Sequence, residues 1–148
     1  MNDYVDYASF AALIDDDEHS SHLLTRTLVD QGAHGIQYYG DAISSLARLQ
    51  VVLKDPTAAW PALIIVDLKA HSDANLEFLG VIRQLTRQSG VPVVVLAPQH
   101  GEQHRQALLN GGAAEVFVRH ADRDAYRAVA ADIVEFWALA RRPEAVGM

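Results

Sequence analysis

The chain has 148 residues, 50% of them apolar and 21% charged, which fits one globular domain over residues 1–148 with a core over about residues 10–140. Its formal net charge of −7 opposes nucleic-acid phosphates, it has no cysteine for disulfides or thiolate metal sites, and no apolar run approaches the roughly 20 residues of a membrane span. The first residues lack the basic and apolar order of a signal peptide, so we expect a cytoplasmic protein that contacts neither nucleic acid nor membrane.

Apolar runs of strand length alternate with amphipathic stretches of helix length five times along the chain. This alternation is typical of βα units and a parallel sheet. The pattern predicts strands over about residues 10–14, 36–39, 62–66, 91–96 and 116–118. It predicts helices over about residues 20–31, 41–55, 75–89, 102–110 and 124–142. Five such units predict an α/β fold, a doubly wound five-stranded parallel sheet.

Carboxylates follow two of the predicted parallel strands. Asp15 and Asp16 follow the first strand, and Asp67 ends the third. The carboxyl ends of parallel strands meet at one edge of the sheet, where ligands bind in such folds, so we expect these groups to converge. Two such charges about 4 Å apart cost on the order of 4 kcal/mol, which a hard cation such as Mg²⁺ would relieve. Asp67 is then the best placed nucleophile for an aspartyl-phosphate.

Four segments resemble the landmarks of the response-regulator receiver family: Ala-Leu-Ile-Asp-Asp-Asp-Glu, Pro-Ala-Leu-Ile-Ile-Val-Asp, Val-Pro-Val-Val-Val-Leu-Ala and Val-Phe-Val-Arg. The resemblance implies a flavodoxin-like receiver fold and a phosphoryl group accepted on Asp67 from a sensor histidine kinase. It also implies that Asp15, Asp16, Asp67 and the backbone carbonyl of Lys69 hold Mg²⁺. Such a protein is a phosphoacceptor that signals by association, and it is not an enzyme beyond its own phosphotransfer.

Several positions depart from the pattern of that family. Ala97 replaces the usual hydroxyl residue, Arg119 replaces the usual lysine, and His120 replaces the proline that commonly follows. Asn75 stands where the family usually has glycine. Ala97 cannot donate a hydrogen bond to a phosphoryl oxygen, whereas Arg119 keeps a positive charge in a different geometry.

Two other functions remain open on the sequence. The three substitutions at the site suit a pseudo-receiver, which keeps the fold and works as an interaction module without phosphorylation. The Asp-x-Asp pattern at Asp15 and Asp17 also resembles the nucleophile motif of haloacid-dehalogenase-like phosphatases. Such an enzyme would normally need further motifs and often a cap domain, for which the chain leaves little room.

The last predicted helix has a wider apolar surface than one sheet requires. Its sequence Ile-Val-Glu-Phe-Trp is similar to that of single-domain regulators that partner phytochrome-type kinases, and those resemble homodimers built on helices 4 and 5. This similarity implies a homodimer whose interface includes Tyr126, Ile133, Phe136 and Trp137. The alternative is that both rings of the Phe-Trp pair fold back on the sheet of their own chain.

Overall fold

The computed structural model describes residues 9–99 and 101–141 of the chain. Five strands alternate with five helices along this part of the chain. The strands are β1 Ala11–Asp15, β2 Ile36–Gly40, β3 Leu63–Asp67, β4 Val93–Ala97 and β5 Glu115–Val118. The helices are α1 Glu18–Asp30, α2 Ala42–Val52, α3 Ala74–Ser89, α4 Glu102–Asn110 and α5 Arg123–Arg141.

The strands form one parallel sheet in the order β2-β1-β3-β4-β5. This order reverses direction at β1 and β3, as in a doubly wound sheet, and it confirms the predicted fold. At such a reversal the connections leave toward opposite faces, which opens a crevice at the carboxyl ends of the two strands. Asp15 and Asp67, the last residues of β1 and β3, lie at this reversal.

Helices cover both faces of the sheet, which explains why the central strands are continuously apolar. In β3, Ile64 and Val66 pack into the core under α2, α3 and α4. Leu63 and Ile65 point to the opposite face and pack into the core under α1 and α5. All four side chains are completely buried, so a polar residue is tolerated only where the strand ends.

The ends of the elements follow local sequence signals closely. Asp41 caps α2, because its side chain accepts a hydrogen bond from the Ser44 amide at 2.9 Å. Gly90 ends α3 with a φ of 77°, in the left-handed region that glycine adopts easily. β4 begins two residues later than predicted, after Pro92, which has no amide hydrogen for the sheet. Residue 142, where α5 was predicted to end, lies outside the described residues.

The last helix packs much of its apolar surface on its own sheet. Ile133 is completely buried and Trp137 is 4% exposed, both in the core that includes α1. This packing leaves the two residues little surface for a partner, and the homodimer interface stays a prediction. Tyr126 and Phe136 are only partly buried, and Leu139 is 59% exposed, so an outer surface of α5 stays accessible. Among the described residues, no helix is long and apolar enough to cross a membrane.

Candidate functional site

The carboxyl ends of β1 and β3 bring two acidic side chains together. Asp15 and Asp67 are paired directly in the register of these neighbouring strands. Both are buried, with 0% and 1% of their surface exposed. Two buried carboxylates this close require positive charge nearby, because burial in a low dielectric strengthens their repulsion.

Lys69 supplies one of the two positive charges. Its Nζ lies 2.7 Å from Asp15 Oδ1 and 3.2 Å from Asp67 Oδ2, and it donates to the Asp67 carbonyl oxygen at 2.9 Å. The ammonium group therefore lies between the two carboxylates. The sequence predicted a role for the backbone carbonyl of Lys69 and missed this role of its side chain.

Arg119, the residue after β5, supplies the other positive charge. Its Nε and Nη2 atoms each lie 2.8 Å from Asp67 Oδ1. The guanidinium also lies 3.4 Å from the Leu96 carbonyl oxygen. Each oxygen of the Asp67 carboxylate therefore faces a different cation, and the carboxylate is fixed in orientation.

The two cations cover the Asp67 carboxylate. The Asp67 side chain is 2% exposed, whereas those of Lys69 and Arg119 are 23% and 22% exposed. Burial raises the pKa of Asp67, and the charges of Arg119 and Lys69 oppose that rise. Access from solvent to the Asp67 carboxylate therefore requires one of the covering side chains to move aside.

Asp16 has a different environment from the other two acids. Its carboxylate accepts hydrogen bonds from the Lys69 amide at 3.0 and 3.1 Å and from the Ala70 amide at 2.9 Å. Asp16 therefore ties the end of β1 to the loop between β3 and α3. It holds this loop against the carboxylates and does not share the ammonium of Lys69.

The predicted metal set is not assembled in this conformation. Within residues 9–99 and 101–141, no three histidine, cysteine, aspartate or glutamate side chains are grouped to hold a metal ion. The reason is that Asp16 faces backbone amides and Lys69 lies between Asp15 and Asp67. Asp15 Oδ2 is nevertheless buried without a hydrogen-bond partner. Carboxylate oxygens suit Mg²⁺, so the donors fit this ion once the ammonium group leaves, and the metal assignment stays a prediction.

Asn75 links the site to β4, a function that the sequence did not reveal. Its Oδ1 accepts from the Leu68 amide at 2.9 Å, and its Nδ2 donates to the Leu96 carbonyl oxygen at 3.1 Å. Among the described residues, none other than glycine has a positive φ, so position 75 does not need the freedom of glycine. The available signal was a polar residue at the start of an amphipathic helix.

The switch position and the surrounding surface complete the site. Ala97 ends β4, is completely buried, and accepts the Arg119 amide on its carbonyl oxygen at 2.7 Å. Tyr126 is partly buried, and its burial, followed by the charges of Asp67 and Asp15, raises its pKa to about 12. A cavity of about 590 Å³ between α1 and α5 includes Arg119 and Tyr126 in its lining. Its other basic lining residues are His19, Arg26, His120, Arg123 and Arg127.

The fold of the chain is similar to that of several solved structures. The Mn²⁺-bound form of response regulator Rcp1 has a TM-score of 0.70 and 23% identity, with 86% of this chain and 93% of that chain covered. The phosphorylated cyanobacterial phytochrome response regulator RcpA has a TM-score of 0.70 and 22% identity, with 86% of this chain and 92% of that chain covered. A response regulator from Hahella chejuensis has a TM-score of 0.71 and 16% identity, with 91% of this chain and 99% of that chain covered. The chain has the receiver fold.

This likeness extends over nearly the whole receiver fold and establishes the architecture at low sequence identity. No protein-family model matches the chain. No curated protein matches it either. The likeness therefore establishes the fold and assigns no role to an individual residue.

Proposed function

We propose that the chain is a cytoplasmic response regulator whose Asp67 accepts a phosphoryl group from a sensor histidine kinase with the help of Mg²⁺. It then signals by associating with another protein. The observation that carries this proposal is the Asp67 carboxylate, which lies beside Asp15 at the sheet reversal and contacts the Arg119 guanidinium at 2.8 Å. A carboxylate nucleophile and a phosphate-binding cation are thus within contact distance.

The transfer requires an exposed oxygen on Asp67. A carboxylate oxygen forms a bond to phosphorus, the bond from phosphorus to the donor breaks, and the donor leaves with the electron pair. Oδ2 is the favoured nucleophile because it has one cation 3.2 Å away, whereas Oδ1 has two guanidinium nitrogens at 2.8 Å. Mg²⁺ would supply a hard cation for a phosphoryl oxygen when it is bound. Arg119 is placed to neutralise charge on the transferred group.

Ala97 limits how phosphorylation of Asp67 can change the conformation of the loop after β4. A hydroxyl at the end of β4 would donate to a phosphoryl oxygen, a bond worth about 0.5 to 1.5 kcal/mol net. Ala97 has no such donor, so its side chain cannot connect the loop after β4 to the phosphoryl group by a hydrogen bond. Arg119, which donates hydrogen bonds to both Asp67 and the Leu96 carbonyl oxygen, is one connection between the phosphoacceptor and β4.

The proposed partners are a phytochrome-type histidine kinase and a second copy of the chain. The basic cavity between α1 and α5 adjoins Arg119 and is a surface on which an acidic partner would dock near Asp67. The accessible residues of α5, with Leu139 59% exposed and Phe136 partly buried, support a homodimer on helices 4 and 5. Analytical ultracentrifugation tests this: Leu139→Glu should dissociate the dimer, and a wild-type monomer would refute it.

The test of phosphorylation uses acetyl phosphate and Mg²⁺ with Phos-tag gels and intact-mass spectrometry. The wild type should gain one phosphoryl group, and Asp67→Asn should gain none. Asp132→Asn, which changes an exposed carboxylate on α5, is the matched control and should behave as the wild type. Repeated turnover of a small phosphomonoester would instead indicate the phosphatase alternative.

One observation favours a second function, the phosphorylation-independent module. The Asp67 side chain is 2% exposed beneath Lys69 and Arg119, so the proposed nucleophile is covered in this conformation. If the folded wild type gains no phosphoryl group from acetyl phosphate, this second function replaces the first. Circular dichroism of the same sample must then show an intact fold.

A further inference from the structure

The ammonium group of Lys69 lies where two buried carboxylates require a cation. It contacts Asp15 Oδ1 at 2.7 Å and lies 3.2 Å from Asp67 Oδ2. Its stem begins on the loop that Asp16 fixes through the Lys69 amide at 3.0 Å. The backbone of Lys69 is thus fixed and its side chain is directed into the pocket. Holding this ion pair in place therefore costs less conformational entropy than holding a surface ion pair.

The Asp15 and Asp67 carboxylates and the two cations in contact with them balance in charge without a divalent ion. Asp15 and Asp67 contribute two negative charges, and Lys69 and Arg119 contribute two positive charges in direct contact with them. A divalent cation entering beside both Lys69 and Arg119 would leave an excess of positive charge at short distances. Asp15 Oδ2 is buried without a partner, so an ion at the carboxylates would find an unused oxygen there.

We infer that Lys69 is an internal counter-ion that competes with Mg²⁺ for Asp15 and Asp67, so that binding of the ion and release of the lysine side chain are coupled. Release is feasible because the side chain is 23% exposed and long enough to reach solvent from the pocket edge. It also uncovers Asp67 Oδ2, which is the atom proposed to react. The inference rests on the proposed function for its meaning, but ion binding can be measured without any phosphotransfer.

Removal of the ammonium group should strengthen ion binding. In calorimetric titrations with MgCl₂, Lys69→Met should bind Mg²⁺ at least about tenfold more tightly than the wild type, because a unit charge in contact with both carboxylates is lost. Lys54→Met removes an exposed lysine after α2 and is the matched control, with no change in affinity. An affinity of Lys69→Met equal to or weaker than that of the wild type would overturn the inference.

The wild type offers a second test that does not depend on how the variant folds. The chain has two lysines, Lys54 and Lys69, so ¹³C-lysine labelling gives two Cε signals. MgCl₂ should shift the Lys69 signal in a saturable way and leave the Lys54 signal in place. An unchanged Lys69 signal at saturating Mg²⁺ would refute competition. If Lys69 competes with Mg²⁺ but Asp67 is not phosphorylated, the proposed function alone is refuted. If Asp67 is phosphorylated but Lys69 does not compete with Mg²⁺, only the inference is refuted.

Discussion

Asn75 offers a quantitative test of how the loop after β3 is connected to β4. The variant Asn75→Ala removes two hydrogen bonds, at 2.9 Å to the Leu68 amide and at 3.1 Å to the Leu96 carbonyl oxygen. Leu68 is 4% exposed and Leu96 is 1% exposed, so water does not readily replace the lost partner. The Leu96 carbonyl oxygen keeps the longer contact with the Arg119 guanidinium at 3.4 Å.

The expected loss follows from these contacts. Each net hydrogen bond contributes about 0.5 to 1.5 kcal/mol, and an orphaned buried group costs about 1 to 3 kcal/mol, so we expect Asn75→Ala to lose about 2 to 4 kcal/mol. Urea denaturation followed by circular dichroism measures this loss as a lower midpoint with an unchanged slope. Asn110→Ala, at an exposed position, should lose less than about 0.5 kcal/mol.

The glycine variant separates hydrogen bonding from backbone strain at this position. Asn75→Gly should be less stable than Asn75→Ala by about 0.5 to 1 kcal/mol, because the residue lies in α3 without a positive φ. A stability of Asn75→Ala within about 0.5 kcal/mol of the wild type would refute the bridging role. A glycine variant more stable than the wild type would show that the asparagine is strained.

Three further outcomes concern titration and the switch position. Burial raises the pKa of Asp67, although the charges of Arg119 and Lys69 oppose the rise. The protonated carboxyl therefore contributes stability to the fold that is lost as the pH rises through the raised pKa. Asp67→Asn without divalent ions should therefore gain more stability over the wild type at about pH 7 than at about pH 4, and equal differences would contradict this. Burial and the charges of Asp67 and Asp15 raise the pKa of Tyr126 to about 12, so the stability that its neutral phenol contributes is lost between about pH 10 and that value. Urea denaturation over this pH range should show a smaller loss of stability for Tyr126→Phe than for the wild type. Equal losses of stability in the two proteins would exclude the effect. Ala97→Ser adds a donor worth about 0.5 to 1.5 kcal/mol, so Phos-tag gels at fixed acetyl phosphate should show an equilibrium ratio of phosphorylated to unmodified protein about two- to tenfold higher. An unchanged ratio would exclude a hydroxyl contact.

The sequence was sufficient for the sheet and for the approach of Asp15 to Asp67. Continuous apolar strands with intervening amphipathic helices allow few arrangements, and in a parallel sheet the ends of β1 and β3 must meet at one edge. The register pairing of Asp15 with Asp67 is the direct result of this constraint. The start of α2 after Asp41 and the end of α3 before Gly90 could also be predicted from the sequence, because capping depends on local backbone geometry.

The side-chain arrangement of the site was not readable in the same way. Lys69 is a flexible residue on a loop, and sequence periodicity does not fix the direction of such a side chain. The bridging role of Asn75 depends on its distance from Leu96, which lies on a strand distant in sequence. The burial of Trp137 depends on where α5 crosses the sheet, and its apolar pattern fitted both a core and a partner surface.

The most direct test of the central claim is the chemical location of the phosphoryl group. The wild type is treated with acetyl phosphate and Mg²⁺, reduced with borohydride, which converts an aspartyl-phosphate to homoserine, and analysed by peptide mass spectrometry. We expect homoserine at position 67, with Asp15 and Asp16 unmodified. Homoserine at another aspartate, or its absence in a folded protein, would contradict the assignment of Asp67 as the phosphoacceptor.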